Sequence, residues 1–198
     1  MIPRGGHLRT NAADGDRLGT SFFQQSAIEV ATQLLGCVML RRVGDVVRRA
    51  RVIETEAYLG PRDLASHASK GRTNRTDVMF GPPGRAYVYF IYGMHQMLNV
   101  VVGEEGHAEA VLLRGAEPLD GWDADLCGPG RLARAFAVTA ADNRMDLTAG
   151  DIAFVPDAAY RPRVIRTRRV GVDYSGHWKR RLLRFIDAAN PESARLRY

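Results

Sequence analysis

Val52-Ile53-Glu54-Thr55-Glu56-Ala57-Tyr58 is the first segment whose residue types and spacing could do chemistry. Side chains alternate along a strand, so Glu54, Glu56 and Tyr58 share one face, with successive members ~6.5–7 Å apart. Two carboxylates in different surroundings can divide into acid and base, as in glycoside hydrolysis. On spacing alone, the plainer reading is the polar face of an amphipathic strand with one Glu in a structural hydrogen bond. Tyr87, Tyr89 and Tyr92, with Phe90 between them, form a second cluster. Aromatics favour strands and cores, yet three phenols before Gly93 also suit a platform for stacking a nucleobase. Asn99 is a polar residue in an apolar run, either locally bonded or a selective contact. Arg114 closes Val111-Leu112-Leu113, where a charged residue is ordinarily superficial. His67 in a long loop could serve as base or hydrogen-bond donor.

Other chemistries lack their motifs. The chain has no Gly-x-x-x-x-Gly-Lys-Ser/Thr loop, no Gly-x-Gly-x-x-Gly after a strand, and no zinc-deaminase pattern. No nucleotide cofactor is indicated. Cys37 and Cys127 lie far apart with no Cys or His at ligand spacing, which suggests neither a disulfide framework nor a metal site.

The elements that must position these residues follow from pattern. Ser26 to Glu29 is a capping box, and Ile28, Ala31, Leu34 and Leu35 form a helical stripe ending at Gly36. Residues 37–42 and 46–58 read as a hairpin about Val43-Gly44-Asp45. Residues 61–84 are a long punctuated loop, of the kind that is usually functional. Strands are expected at 86–92, 97–102, 109–114, 151–155, 163–170 and 182–186, and a short helix at 131–137. The fold class is therefore α+β: one compact domain with a mainly antiparallel, curved β-sheet core and short flanking helices. Residues 1–20 read as a mobile tail, leaving 21–198 as the domain.

At 198 residues the chain can bury a substantial core. No apolar run reaches the ~18 residues of a membrane helix, and the start lacks a signal-peptide stretch. A cytoplasmic location is expected. The net charge of +6 points to a polyanionic partner. Residues 161–184 hold nine basic residues against Asp173 alone, although a solvated Arg-rich face would look the same.

Taken together, Glu54–Tyr58, Ser66-His67, Asn74-Arg75, Met79–Gly84, Tyr87–Met94, Asn99, Leu112–Pro118 and Arg169–Val172 resemble the alkyladenine (3-methyladenine) DNA glycosylase family, in that family's order. The resemblance implies a monofunctional enzyme that flips alkylated or deaminated purines out of double-stranded DNA and hydrolyses the N-glycosidic bond, initiating base excision repair. By resemblance Glu56 is the general base, and Arg114 and the Val170 carbonyl help to hold the attacking water. Tyr58 and Tyr89 sandwich the base with His67 as partner. Asn99 opposes its minor-groove edge, where a guanine amino group would collide. Tyr92 is the wedge left in the stack. Arg166 and Arg168 are expected on the DNA backbone. A monomer needing no cofactor or metal is implied. Departures from the human type are the short 118–126 connector, His95 in place of a Tyr, and Ser66 in place of an Ala. A non-catalytic domain that binds damaged nucleic acid, and a carbohydrate hydrolase using Glu54 and Glu56, are the competing readings.

Overall fold

The computed structural model describes residues 17–91 and 93–196. Three short helices, α1 (Thr20–Phe23), α2 (Ala27–Gln33) and α3 (Pro129–Ala135), accompany eight strands. These are β1 (Val38–Val43), β2 (Val46–Tyr58), β3 (Ala86–Ile91), β4 (His95–Val102), β5 (Glu109–Pro118), β6 (Ile152–Val155), β7 (Val164–Thr167) and β8 (Arg184–Asp187). All pairings are antiparallel, in the order β3-β4-β5-β2-β1-β6, with β8 on β2 and β7 on β8. The class is α+β with a curled antiparallel sheet, as the sequence predicts.

Local chemistry explains the entry into this fold. Ser26 caps α2 by accepting from the Glu29 amide, while Glu29 reaches back to the Ser26 amide at 3.0 Å. Most of the expected tail, residues 1–16 of 1–20, lies outside the described residues, but the Leu18 amide donates to Phe154 at 2.8 Å and Thr20 already opens α1.

The 13-residue β2 organises the sheet. Its first half pairs with β1, its second half with β8, and β5 runs along the other edge. Register shifts flank Glu54 where β2 meets β5. An irregularity of this kind flips the side-chain alternation. Ala50 and Val52 face the helix-packed core before it, Ala57 faces that core after it, and Thr55 hydrogen-bonds Ala31 of α2 at 2.7 Å. Glu54 and Glu56 are thereby delivered to the opposite face.

That opposite face is covered by residues 59–84 and by the segment after β7. The long loop is built from short 3-10 turns at Gly60–Arg62, His67–Lys70 and Asp77–Phe80. Ala68, Val78 and Met79 pack there against Tyr87, Val101 and Ala110 in a second apolar cluster. β7 stops at Thr167 rather than at the expected residue 170. Arg169 turns inward and the Val170 amide leaves the ladder for a side chain beneath it.

Candidate active site

On this face the curvature leaves a cavity of about 380 Å³, within the range of small-ligand sites. Its walls include Tyr58, Ser66, His67, Tyr87, Tyr89, Asn99, Arg114, Val170 and Tyr174. The expected pocket residues Tyr58, His67, Tyr89 and Asn99 are thus brought together, with Arg114 and Val170. Tyr92 lies outside the described residues.

Glu56 is fully buried just behind this wall. Its Oε1 accepts the Val170 amide at 2.8 Å and lies 3.3 Å from Arg114 Nε; its Oε2 accepts the Tyr58 hydroxyl at 2.9 Å. All three donors line the cavity, so the carboxylate stands one hydrogen bond behind its surface. Burial raises its pKa, while Arg114, the Val170 amide and the Tyr58 hydroxyl partly oppose that rise. Val170 therefore reaches Glu56 through its N–H, which leaves its carbonyl, the group that the family resemblance implies helps to hold the water, free of that bond.

Glu54 has a different environment. Its Oε1 is shared by Arg114 Nε at 2.7 Å and Arg184 Nε at 2.5 Å. Gly115 makes this possible, because a Cβ there would sit 3.1 Å from Glu54 Cβ and 2.9 Å from Leu196. Glu54 is a buried counter-ion, and Glu56 is the carboxylate whose partners open to the cavity. The two carboxylates, equivalent by spacing, thus differ in their surroundings.

The aromatic wall is interlocked. The His67 ring meets Tyr89 edge-on at 4.6 Å and its Nδ1 bonds the Tyr87 hydroxyl at 2.8 Å. Arg75 lies 5.2 Å from the Tyr89 ring centroid and Arg169 4.7 Å from that of Tyr58. Burial, helped by the nearby Arg75 charge, lowers the His67 pKa to about 4. His67 is therefore neutral above pH 5, and a pH profile of activity should show no His67 step near 6.5. Stability carries the complementary sign. Between pH 6.5 and 4 the unfolded chain takes up a proton that the fold refuses, so stability falls as pH falls through that window. Urea unfolding of His67→Gln should lose about one proton of that slope; an unchanged slope would show that His67 titrates normally.

Asn99, on β4, donates to the Tyr87 carbonyl at 3.1 Å across the β3–β4 pair while lining the cavity. The local bond and the cavity position, posed as alternatives by the sequence, coexist. Arg166 and Arg168 are exposed, with the Arg166 guanidinium 5.2 Å from the Phe185 ring centroid. Two of the nine basic residues counted in 161–184, Arg169 and Arg184, are instead buried in the site's framework. Sequence reasoning gives Asp63 no role and sees Arg169 and Arg184 as members of the basic stretch, Arg169 also within the Arg169–Val172 motif. Among the described residues no His, Cys, Asp and Glu cluster could hold a metal ion, and no helix is long and apolar enough to cross a membrane.

Residues 21–191 match the family model described as methylpurine-DNA glycosylase. A protein of Anaeromyxobacter sp. (strain Fw109-5), provisionally named a 3-methyladenine DNA glycosylase, is 52% identical over 176 residues, covering 88% of this chain and 90% of its own. Similarly named proteins of Legionella pneumophila (strain Corby) and Methanocella arvoryzae are 42% and 39% identical, each over 88% of this chain and over 96% and 94% of their own.

Proposed function

This chain belongs to the methylpurine-DNA glycosylase family, and from that premise we propose that it flips damaged purines out of double-stranded DNA into the aromatic cavity and hydrolyses their N-glycosidic bond. The observation that carries the reading is Glu56, a buried carboxylate held by the Val170 amide, the Tyr58 hydroxyl and Arg114 at the wall of that cavity. A base inside the stack is unreachable, so it must be extruded and held by stacking and edge contacts. Tyr58, Tyr89 and His67 supply the stacking surfaces.

Departure of the base leaves positive charge on the sugar. The Glu56 carboxylate stabilises that charge and takes the proton of the attacking water, and burial raises its basicity for the task. Arg114 and the Val170 amide both hold its Oε1, and the Tyr58 hydroxyl holds its Oε2. No lysine is among the lining residues, which favours simple hydrolysis over a Schiff-base route.

The test is base release across a panel of duplexes, each with one defined alkylated or deaminated purine. Release from at least one lesion supports the reading. Tight lesion binding without release from any would reduce the protein to a damage-binding domain.

Two further results are expected. Asn99→Ala removes the side chain that would meet the guanine 2-amino group, so the ratio of guanine-lesion to adenine-lesion excision should rise. A proportional loss of both would leave Asn99 with its Tyr87 bond alone. Replacing Arg166 and Arg168 by Ala should flatten the log–log salt dependence of duplex binding by about 0.9 for each phosphate no longer neutralised. An unchanged slope would remove both from the DNA interface.

A further inference from the structure

Asp63 and Arg169 form an ion pair whose side chains have 0% exposure on both sides. Arg169 Nη1 donates to Asp63 Oδ2 at 2.5 Å and Nη2 to Asp63 Oδ1 at 2.8 Å, a bidentate geometry that fixes the guanidinium plane. The same carboxylate accepts the Leu59 and Ala65 amides at 3.1 and 3.0 Å, which anchors it to the start of the long loop. Arg169 Nη1 also donates to the Ala57 carbonyl at 2.9 Å.

Ala57 lies between Glu56 and Tyr58, and Val170, which gives its amide to Glu56, directly follows Arg169. One guanidinium is therefore tied to both chain segments that build the Glu56 cradle, and it lies against the Tyr58 ring as well. As a source of stability this is a poor arrangement. Desolvating two charges offsets most of their attraction, and Arg169 Nε is buried without a hydrogen-bond partner among the described residues. What the pair supplies is a fixed relation between β2 and the segment after β7.

We propose that Asp63 and Arg169 are positioning residues that hold the Val170 amide on Glu56 and the Tyr58 ring at the cavity wall, setting the carboxylate's geometry without touching the substrate. The catalytic consequence rests on the reading of Glu56 as general base; the geometric claim does not. The groups facing Glu56 are Glu54 and Tyr58 on β2, Arg114 on β5, Tyr89 on β3, and Arg169 with the Val170 amide, while Arg184 on β8 acts through Glu54. Of these donors to Glu56, the Val170 amide and the Tyr58 hydroxyl are the ones whose positions depend on Arg169.

The experiment compares wild type with Arg169→Lys, which keeps the charge but loses the bidentate fork. Carboxyl-carbon NMR should show the Glu56 titration midpoint raised by about one pH unit, the size expected for weakening one hydrogen bond to a carboxylate. Single-turnover excision should fall ten- to a hundredfold, the scale of a small misplacement, with lesion-duplex affinity within about threefold. Asp63→Asn, which leaves the arginine in place with a neutral partner, should show the same split between rate and affinity and serves if Arg169→Lys does not fold. A merely structural pair would lower thermal stability in both variants while leaving the Glu56 midpoint and, at a temperature where all are folded, the rate unchanged; that result overturns the proposal. Wild type that releases no base from any lesion defeats the glycosylase reading instead, and the NMR midpoint still decides the role of the pair.

Discussion

Glu56→Gln is expected to yield a folded protein that binds lesion-bearing duplex and excises ~10²–10⁴-fold more slowly, the usual consequence of losing one general base. The substitution is gentle on the structure for reasons visible in the cradle. The glutamine oxygen can accept the Val170 amide that Glu56 Oε1 accepts now, and its NH₂ can donate to the Tyr58 oxygen once that hydroxyl turns. What it cannot do is take a proton from water or place negative charge beside the sugar. Because burial raises the Glu56 pKa, wild-type single-turnover rates should climb with pH until the carboxylate is ionised, and the residual rate of the variant should lack that limb. Excision within a few-fold of wild type would transfer the role of base elsewhere.

The sequence made the shared face of Glu54, Glu56 and Tyr58 legible because strand alternation holds from Glu54 onward. It could not show that Val52 and Glu54, of the same parity, face opposite sides, since the irregularity between them depends on how β5 pairs with β2. The capping box of α2 and the β1–β2 hairpin are local and were readable with small boundary errors. The truncation of β7 was not, because Arg169 and the Val170 amide abandon the ladder for partners more than a hundred residues away. The Asp63–Arg169 pair had no signal of its own. Asp63 sits in a loop rich in turn residues, and Arg169 sits in an arginine-rich stretch where each member looks like surface charge. Motif resemblance picked out residues that the fold brings to one cavity and preferred Glu56 to Glu54, while strand spacing alone left the two carboxylates equivalent.

The different surroundings of the two carboxylates yield the largest expected effect on stability. Glu54 is 1% exposed and its Oε1 takes Nε donors from both Arg114 and Arg184, themselves at most 9% exposed. Glu54→Gln removes the negative charge between two buried guanidinium groups, and breaking a buried pair in this way typically costs about 3–5 kcal/mol. For a chain of this size, that corresponds to a fall in thermal midpoint of roughly 6–20 °C. Glu56→Gln should fall far less, because the hydrogen bonds around it can be kept and the carboxylate it replaces was held unfavourably by burial. The two substitutions should therefore cross over: Glu54→Gln loses stability and, measured cold enough to stay folded, keeps more of its excision rate, while Glu56→Gln keeps its fold and loses the chemistry. Thermal unfolding and single-turnover excision on the same preparations decide it. A Glu54→Gln protein with wild-type stability and an excision defect as deep as that of Glu56→Gln would assign the base to Glu54 and make Glu56 the structural carboxylate.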